Sequence, residues 1–163
     1  MLGCMRTLRY LLPLAALAAA LSAPAAADAS IVPQQGMLGV KIGMTATQIS
    51  ARLGDPDAVS HPRNEIFGRY IRYRYGEVYV ELFEDTTQAF HFYTSGRSAR
   101  TTKGVGVGSP ESYMRSAIQG ESCRNEGGVR FCNVGKLEAG QIVTTFRIKN
   151  GRVTRVDIGR VID

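Results

Sequence analysis

His61 and His91 are the only imidazoles in the sequence. Imidazole is the usual proton carrier near neutral pH, but it works only with a partner within hydrogen-bond reach. His61 lies in the loop "VSHPRNE" beside a proline, with no such partner in view. His91 alternates with Phe90 and Phe92, so strand geometry turns it away from both. No Gly-x-Ser-x-Gly elbow and no His-x-x-x-His pair occurs. The densest acids are Glu81, Glu84 and Asp85. Glu81 shares a strand face with Tyr79 and Phe83, and the other two begin a turn. Glycoside hydrolysis needs two carboxylates about 5–9 Å apart across a cleft. Nothing in the sequence indicates a cleft, so these read as solvated turn acids. "GVGVGSP" (104–110) invites a phosphate-binding reading. It lacks a parallel strand–helix–strand setting and the Lys-Ser/Thr of a P-loop, and reads as a glycine-loosened linker. The sequence therefore offers no catalytic residue, no metal ligand and no cofactor site.

Two elements of chemistry remain. Cys123 and Cys132 flank the short segment "RNEGGVRF". Two cysteines without a nearby histidine make a poor zinc site, and the spacing is not Cys-x-x-Cys. In an oxidising compartment they have only each other, which points to a structural disulfide. The second element is "RYIRYRYG" (69–76). Alternation puts Tyr70, Arg72 and Arg74 on one face, with Tyr79 and Phe83 of the next strand as expected neighbours. Tyr and Arg cover large areas and hydrogen-bond, as protein interfaces require. These five residues form the expected interaction face.

The N-terminus states where such a face works. Arg6 and Arg9 precede the apolar run Leu11–Leu21, and Ser22–Ala27 is almost all small residues. This is the pattern of a secretory signal peptide over 1–27, cleaved after Ala27. The apolar run is too short to span a bilayer, which takes about 20 residues. Cys4 precedes the run instead of sitting at the cleavage point, so no lipid anchor and no stable membrane attachment is expected after cleavage. The 163-residue chain carries 20 Lys+Arg and 14 Asp+Glu. Without Arg6 and Arg9 the balance is 18 against 14, mildly basic and spread out. That suits an acidic protein surface or anionic glycans and argues against nucleic acid.

The elements that must hold the face are legible from periodicity. Residues 28–38 show no period and read as a flexible lead-in. "VKIGMTATQISARLGDP" (40–56) spells a short helix. Thr45 caps it, Gln48 completes a capping box, and Met44 with Ile49 make a hydrophobic staple. Gly43 lets the chain bend into the cap. Ile49 and Leu53 form the buried stripe, and Gly54 followed by Pro56 ends the helix. Alternating segments at 69–76, 77–85 and 89–96 then read as an antiparallel meander. A weaker echo follows at an offset of 65 residues. Gly104, Val105, Val107 and Gly108 answer to Gly39, Val40, Ile42 and Gly43, with Ser109 as cap and Pro110 in the first helical position. Segments 129–135, 141–149 and 152–161 supply three further strands, with Asn150-Gly151 as a hairpin turn. A three-residue loop with Gly151 in a bulge keeps Phe146 on the face of Val156 and Ile158.

"IGMTATQISARLGDP" resembles the opening motif of SmpA/OmlA (BamE-like) envelope domains and of the β-lactamase-inhibitory protein, a tandem repeat with a disulfide. The resemblance implies an exported module that binds other proteins and has no enzymatic activity. It departs from the outer-membrane lipoproteins in lacking a lipidation cysteine, and Gly-Ser-Pro replaces Gly-Met-Thr in the second half. The expectation is an α+β fold of two tandem repeats, 39–103 and 104–163, packed as one unit. Each is a short helix followed by a three-stranded antiparallel meander, with the helices packed on sheet. The expected role is a protein–protein interaction module of the periplasm or cell envelope, as an assembly accessory or an enzyme inhibitor. A small-ligand or glycan-binding module, with a pocket lined by Tyr73, Tyr75 or Phe92, is the first alternative. An enzyme of unfamiliar type, built around His61 or His91, is the second.

Overall fold

The computed structural model describes residues 30–66 and 68–162. The expected signal peptide, its cleavage site and Cys4 lie outside the described residues. Among the described residues strand dominates, at 48% against 11% helix. The first elements are β1 (Ile31–Val32), β2 (Gly36–Met37) and β3 (Val40–Lys41), a small antiparallel sheet. Helix α1 (Ala46–Leu53) follows, then β4 (Ala58–Ser60), β5 (Arg63–Asn64), β6 (Gly68–Tyr75), β7 (Val78–Phe83) and β8 (Ala89–Thr94). After α2 (Glu111–Ala117) come β9 (Glu121–Glu126), β10 (Val129–Val134), β11 (Ile142–Lys149) and β12 (Arg152–Arg160). Strands β4 to β12 form one nine-stranded sheet in the order β4-β6-β7-β8-β12-β11-β10-β9, with β5 also paired to β6.

This corrects the expected α+β fold of two helix-plus-three-strand repeats. One sheet and one core cluster run across the expected boundary at 103/104. The second half holds four strands in the sheet, one more than the expected three, and β9 is the addition. Its sequence, "ESCRNE", contains no aliphatic or aromatic residue and it lies at a sheet edge, mostly exposed. An edge strand that buries little leaves no hydrophobic alternation to read. The same holds for β4, all three of whose residues are exposed. Nor do helices make the covering layer. Each contributes one buried side chain within its span, Ile49 from α1 and Met114 from α2. The rest of the layer comes from Ile31, Met37 and Val40 of the small sheet and Ala99, Val105 and Val107 of the long loop. The expected flexible lead-in is thus part of the core: Ile31 and Met37 are fully buried.

Strand alternation decides what meets this layer. Val78, Val80 and Leu82 of β7, Phe92 of β8, Phe146 and Ile148 of β11, and Val156 and Ile158 of β12 all face it. The α1 cap is a reciprocal box. The Thr45 hydroxyl accepts from the Gln48 amide at 3.3 Å, and the Gln48 side chain accepts from the Thr45 amide at 2.9 Å. Gly43 enters it at φ +89°, a conformation that a Cβ disfavours. The second helix differs from expectation. Pro110 is its N-cap and no side chain caps it. Ser109 turns its hydroxyl back to the Gly106 amide instead.

Two bulges reset the register. Asn150-Gly151 forms a two-residue turn with φ of +52° and +69°, pairing Lys149 with Arg152. The extra residue is taken up beyond the turn, between the Ile148–Val153 and Arg147–Arg155 pairs, so Phe146 still faces Val156. A second irregularity lies opposite Glu81/Leu82, where Glu81 pairs with His91 and Leu82 with Ala89. Phe90 is left over, and it stands on the side of His91 rather than opposite it, stacked on Phe83.

Cys123 and Cys132 are directly paired on β9 and β10 and joined by a disulfide. The bond suits an oxidising compartment and therefore an exported protein. Replacement of Thr45 by Ala removes one half of the capping box and is expected to lower unfolding free energy by about 1 kcal/mol. Urea titration measures it. An unchanged midpoint would show that α1 is held by docking of Ile49 alone.

Candidate functional site

The sheet face opposite the core carries a continuous polar and aromatic surface. Neighbouring strands β6, β7, β8, β12, β11 and β10 contribute, because each alternates core residues with residues of this face. Pairing sets Tyr70 against Phe83, Arg72 against Glu81 and Arg74 against Tyr79. The five residues expected to form an interaction face therefore lie on one face of the sheet. Tyr70 is buried, Arg72, Tyr79 and Phe83 are half-buried and Arg74 is exposed.

The centre of this face is an ion network. Glu81 is 6% exposed. Its Oε1 accepts from Arg72 at 2.8 Å, and its Oε2 lies 2.8 Å from His91 Nδ1. The other ring nitrogen of His91, Nε2, lies 3.3 Å from Oδ1 of Asp157, also 6% exposed. Asp157 further accepts from Arg155 at 2.7 Å and Arg147 at 3.0 Å. Two buried carboxylates thus hold three guanidiniums and one imidazole in a row across β6, β7, β8, β12 and β11. The His91 ring lies on Gly159, where an added Cβ would come within 2.9 Å of it. Gly159 is the space that lets the ring lie flat between the two acids.

Electrostatics fix the charge states. For His91, burial opposes the charge, but the bonds to Asp157 and Glu81 outweigh it and raise its pKa above the ordinary 6.5. Burial likewise opposes ionisation of Glu81 and Asp157. The His91 bond and the arginines prevail, and both carboxyls are held below their ordinary values. With His91 protonated, the row holds four positive groups against two negative ones. Its tyrosine hydroxyls are shifted upward. Burial, with the nearby Glu81, raises Tyr70, and burial likewise raises Tyr93.

Aromatic rings frame the network. Tyr79 and Tyr93 stack at 4.6 Å with planes 7° apart. The Arg155 guanidinium lies 3.9 Å from the Tyr93 ring centre, a cation–π geometry that also keeps the arginine in place. Arg72 donates to the Tyr70 hydroxyl at 2.7 Å. Arg124 and Arg147 both lie over Phe131, each at 5.7 Å.

Sequence reasoning put Glu81 on the face of Tyr79 and Phe83, and missed His91, Tyr93, Phe131, Arg147, Arg155 and Asp157 as members of it. Glu81 corrects the reading as a solvated acid. The available signal was a single acid between core-facing residues, "Val80-Glu81-Leu82" and "Val156-Asp157-Ile158". His61 stands apart, 3.8 Å from Glu84, and both are exposed. Tyr73 and Tyr75 pack against the core and Phe92 is fully buried in it, so these three line no pocket on the open face. Among the described residues no group of three or more His, Cys, Asp or Glu could hold a metal ion. No described helix is long and apolar enough to cross a membrane.

No family model matches the chain, and no curated protein matches it. Solved structures do. One is an extracellular protein containing an SCP domain from Bacillus anthracis, at 12% identity and a TM-score of 0.48, covering 73% of this chain and 44% of that one. Another is a cysteine-rich secretory protein from Staphylococcus aureus, at 14% identity and 0.47, covering 78% and 48%. A third is a DUF4309 family protein from Bacillus subtilis, at 13% identity and 0.47, covering 81% and 88%. The chain spans less than half the length of the first two. None of the three is an SmpA/OmlA domain or a β-lactamase-inhibitory protein, and that resemblance is corrected. The motif that suggested it is a helix cap, and a cap follows from local hydrogen bonding in any fold that needs a short docked helix.

The network predicts how stability depends on pH. His91 is raised on folding, so its contribution is full below 6.5 and is lost as pH climbs through the raised value. Glu81 and Asp157 are lowered, so theirs is full above 4.5 and 3.8 and is lost as pH falls through the depressed values. The melting temperature is therefore expected to peak at about pH 5–6.5 and to decline on the alkaline side. Calorimetry of the wild type and His91→Gln tests this. If the substitution leaves the alkaline slope intact, His91 is not its source.

Proposed function

We propose that the protein is an exported, non-enzymatic protein–protein interaction module of the periplasm or cell envelope. Its open sheet face binds a partner that presents carboxylates among apolar groups. The observation that carries this reading is the preset Arg–Tyr surface. Arg72, Arg147 and Arg155 are each fixed by a buried carboxylate before any partner arrives. Ordering long side chains is a main cost of association, and here it is met in the free protein. Charge sets the partner. The row holds more positive than negative groups, and exposed Arg74 adds to the excess. An acidic surface is steered toward such a face and fits it. Tyr79, Tyr93 and Phe131 supply the apolar area between the charges, of the kind that dominates binding energy at interfaces.

The same geometry weighs against an acid–base role. A catalytic histidine needs one ring nitrogen turned to substrate. Both nitrogens of His91 are engaged by carboxylates, and an imidazolium held from both sides has no lone pair with which to take a proton. It braces the sheet face.

The test leaves the network intact. Arg72 is not altered, because its loss would strand the buried charge of Glu81. Arg74→Glu changes an exposed side chain of the open face that makes no bond within the network. Material retained from envelope extract on the wild-type protein is identified and its affinity for both proteins measured. A loss of about tenfold or more, at unchanged melting temperature, is expected. An identified partner held equally by both proteins would remove this face from the reading.

A further inference from the structure

Three arginines gather elsewhere in the molecule without a counter-charge. Arg97, Arg100 and Arg152 line one open cavity of about 400 Å³, together with Val107, Gly108 and Ser109. The cavity shares no residue with the open sheet face. It lies where the long loop after β8 passes the start of β12. None of the three guanidiniums pairs with a carboxylate among the described residues. Glu111, two residues after Ser109, pairs with Arg130 and does not line the cavity, and the other acid bonded to this loop is Glu77. It is occupied by the amide and hydroxyl of Ser98, and it does not line the cavity.

The arginines are positioned by the loop "GVGS" (106–109). Arg100 donates to the Ser109 hydroxyl at 3.1 Å, and Arg152 donates to the Gly108 carbonyl at 2.9 Å. Arg97 lies over Gly108, its Nε 3.6 Å from where a Cβ would stand, and Gly108 adopts φ +91°. A side chain there would enter the space beside that guanidinium. Ser109 is 6% exposed. Its oxygen accepts from both Arg100 and the Gly106 amide. Its proton has no acceptor among the described residues, and the residue lines the cavity. A hydroxyl that accepts twice still has one proton to donate.

We propose that this cavity is a binding site for a doubly charged tetrahedral oxyanion, a phosphate or sulfate group. A carboxylate brings two oxygens and one negative charge, against the three positive charges gathered here. Three forks and a hydroxyl need more acceptors and a second negative charge. A tetrahedral oxyanion provides both. Three like charges around one cavity also repel one another, and a dianion relieves that repulsion. The glycine-rich stretch that reads as a mere linker is the loop that holds the donors.

The test is titration of isotope-labelled protein, followed by amide resonances, with inorganic phosphate, inorganic sulfate, glycerol phosphate and acetate. Saturable shifts confined to Gly106, Gly108 and Ser109 are expected with the first three, and acetate is expected to bind about tenfold more weakly or worse. Tighter binding of glycerol phosphate than of inorganic phosphate identifies the ligand as a group carried on a larger molecule. Equal binding identifies the free oxyanion. Arg97→Gln and Arg152→Gln are each expected to weaken phosphate about tenfold. Arg97→Lys, which keeps the charge but loses the fork, is expected to fall between. Absent saturation, shifts centred on Tyr93 and Arg155, acetate binding as well as phosphate, or affinity unchanged in both Gln variants would each overturn the proposal. The wild-type shifts decide the matter even if a variant does not fold.

Discussion

The antiparallel pairing of β8 with β12 is the constraint on which the rest depends. It sets Tyr93 opposite Asp157 and His91 opposite Gly159. Without it the chain would hold two separate meanders, each with a bare edge. With it, Phe92 and Ile158 become neighbours in one core, and on the other side His91 reaches the acid of a strand distant in sequence. One register thus determines both the continuity of the apolar layer and the composition of the charged row. A slip by a single residue would exchange the two faces and bury Asp157 against Phe146 and Met114.

Buried carboxylates are costly unless they are paired on every side. Here Glu81 and Asp157 each face two or more cationic groups, and His91 is shared between them. The acids hold the arginines, the arginines lie over aromatic rings, and the rings fill the spaces between strands. The face is consequently stiff where surface arginines are normally mobile. That stiffness, more than its residue types, distinguishes it from an ordinary solvated sheet.

Much of this fold is legible in the sequence, and the exceptions have physical causes. Strands β6, β7, β8, β11 and β12 bury one face each, so hydrophobic alternation marks them. The α1 cap is readable because Thr45, Gln48 and Gly54 act within a few residues of one another. Strands β4 and β9 leave no such mark, since edges hold by backbone pairing and bury little. The shared face of Tyr70, Arg72, Arg74, Tyr79 and Phe83 follows from adjacent strands. The Glu81–His91–Asp157 bridge does not, because it rests on the β8–β12 register, which no local pattern encodes. Phe90 was assigned the wrong side because alternation assumes an unbulged strand. Ser109 read as a helix cap by its type and position, but Pro110 took that place and freed the hydroxyl for the loop.

The edges of the sheet differ in a way that matters for the molecule in a crowd. An exposed strand can recruit a second chain and extend a sheet without limit. On one side, β4 is only three residues long, and β5 pairs with another stretch of the same neighbour. On the other, β9 carries Glu121, Arg124 and Glu126 and is clasped to β10 by the disulfide. The clasp holds a charged, mostly exposed strand beside the more apolar β10. Under reducing conditions β9 would be free to fray, and β10, with Val129, Phe131 and Val134, would become the rim. An oxidising compartment, where such a bond persists, is thus also where the apolar β10 stays covered by its charged neighbour.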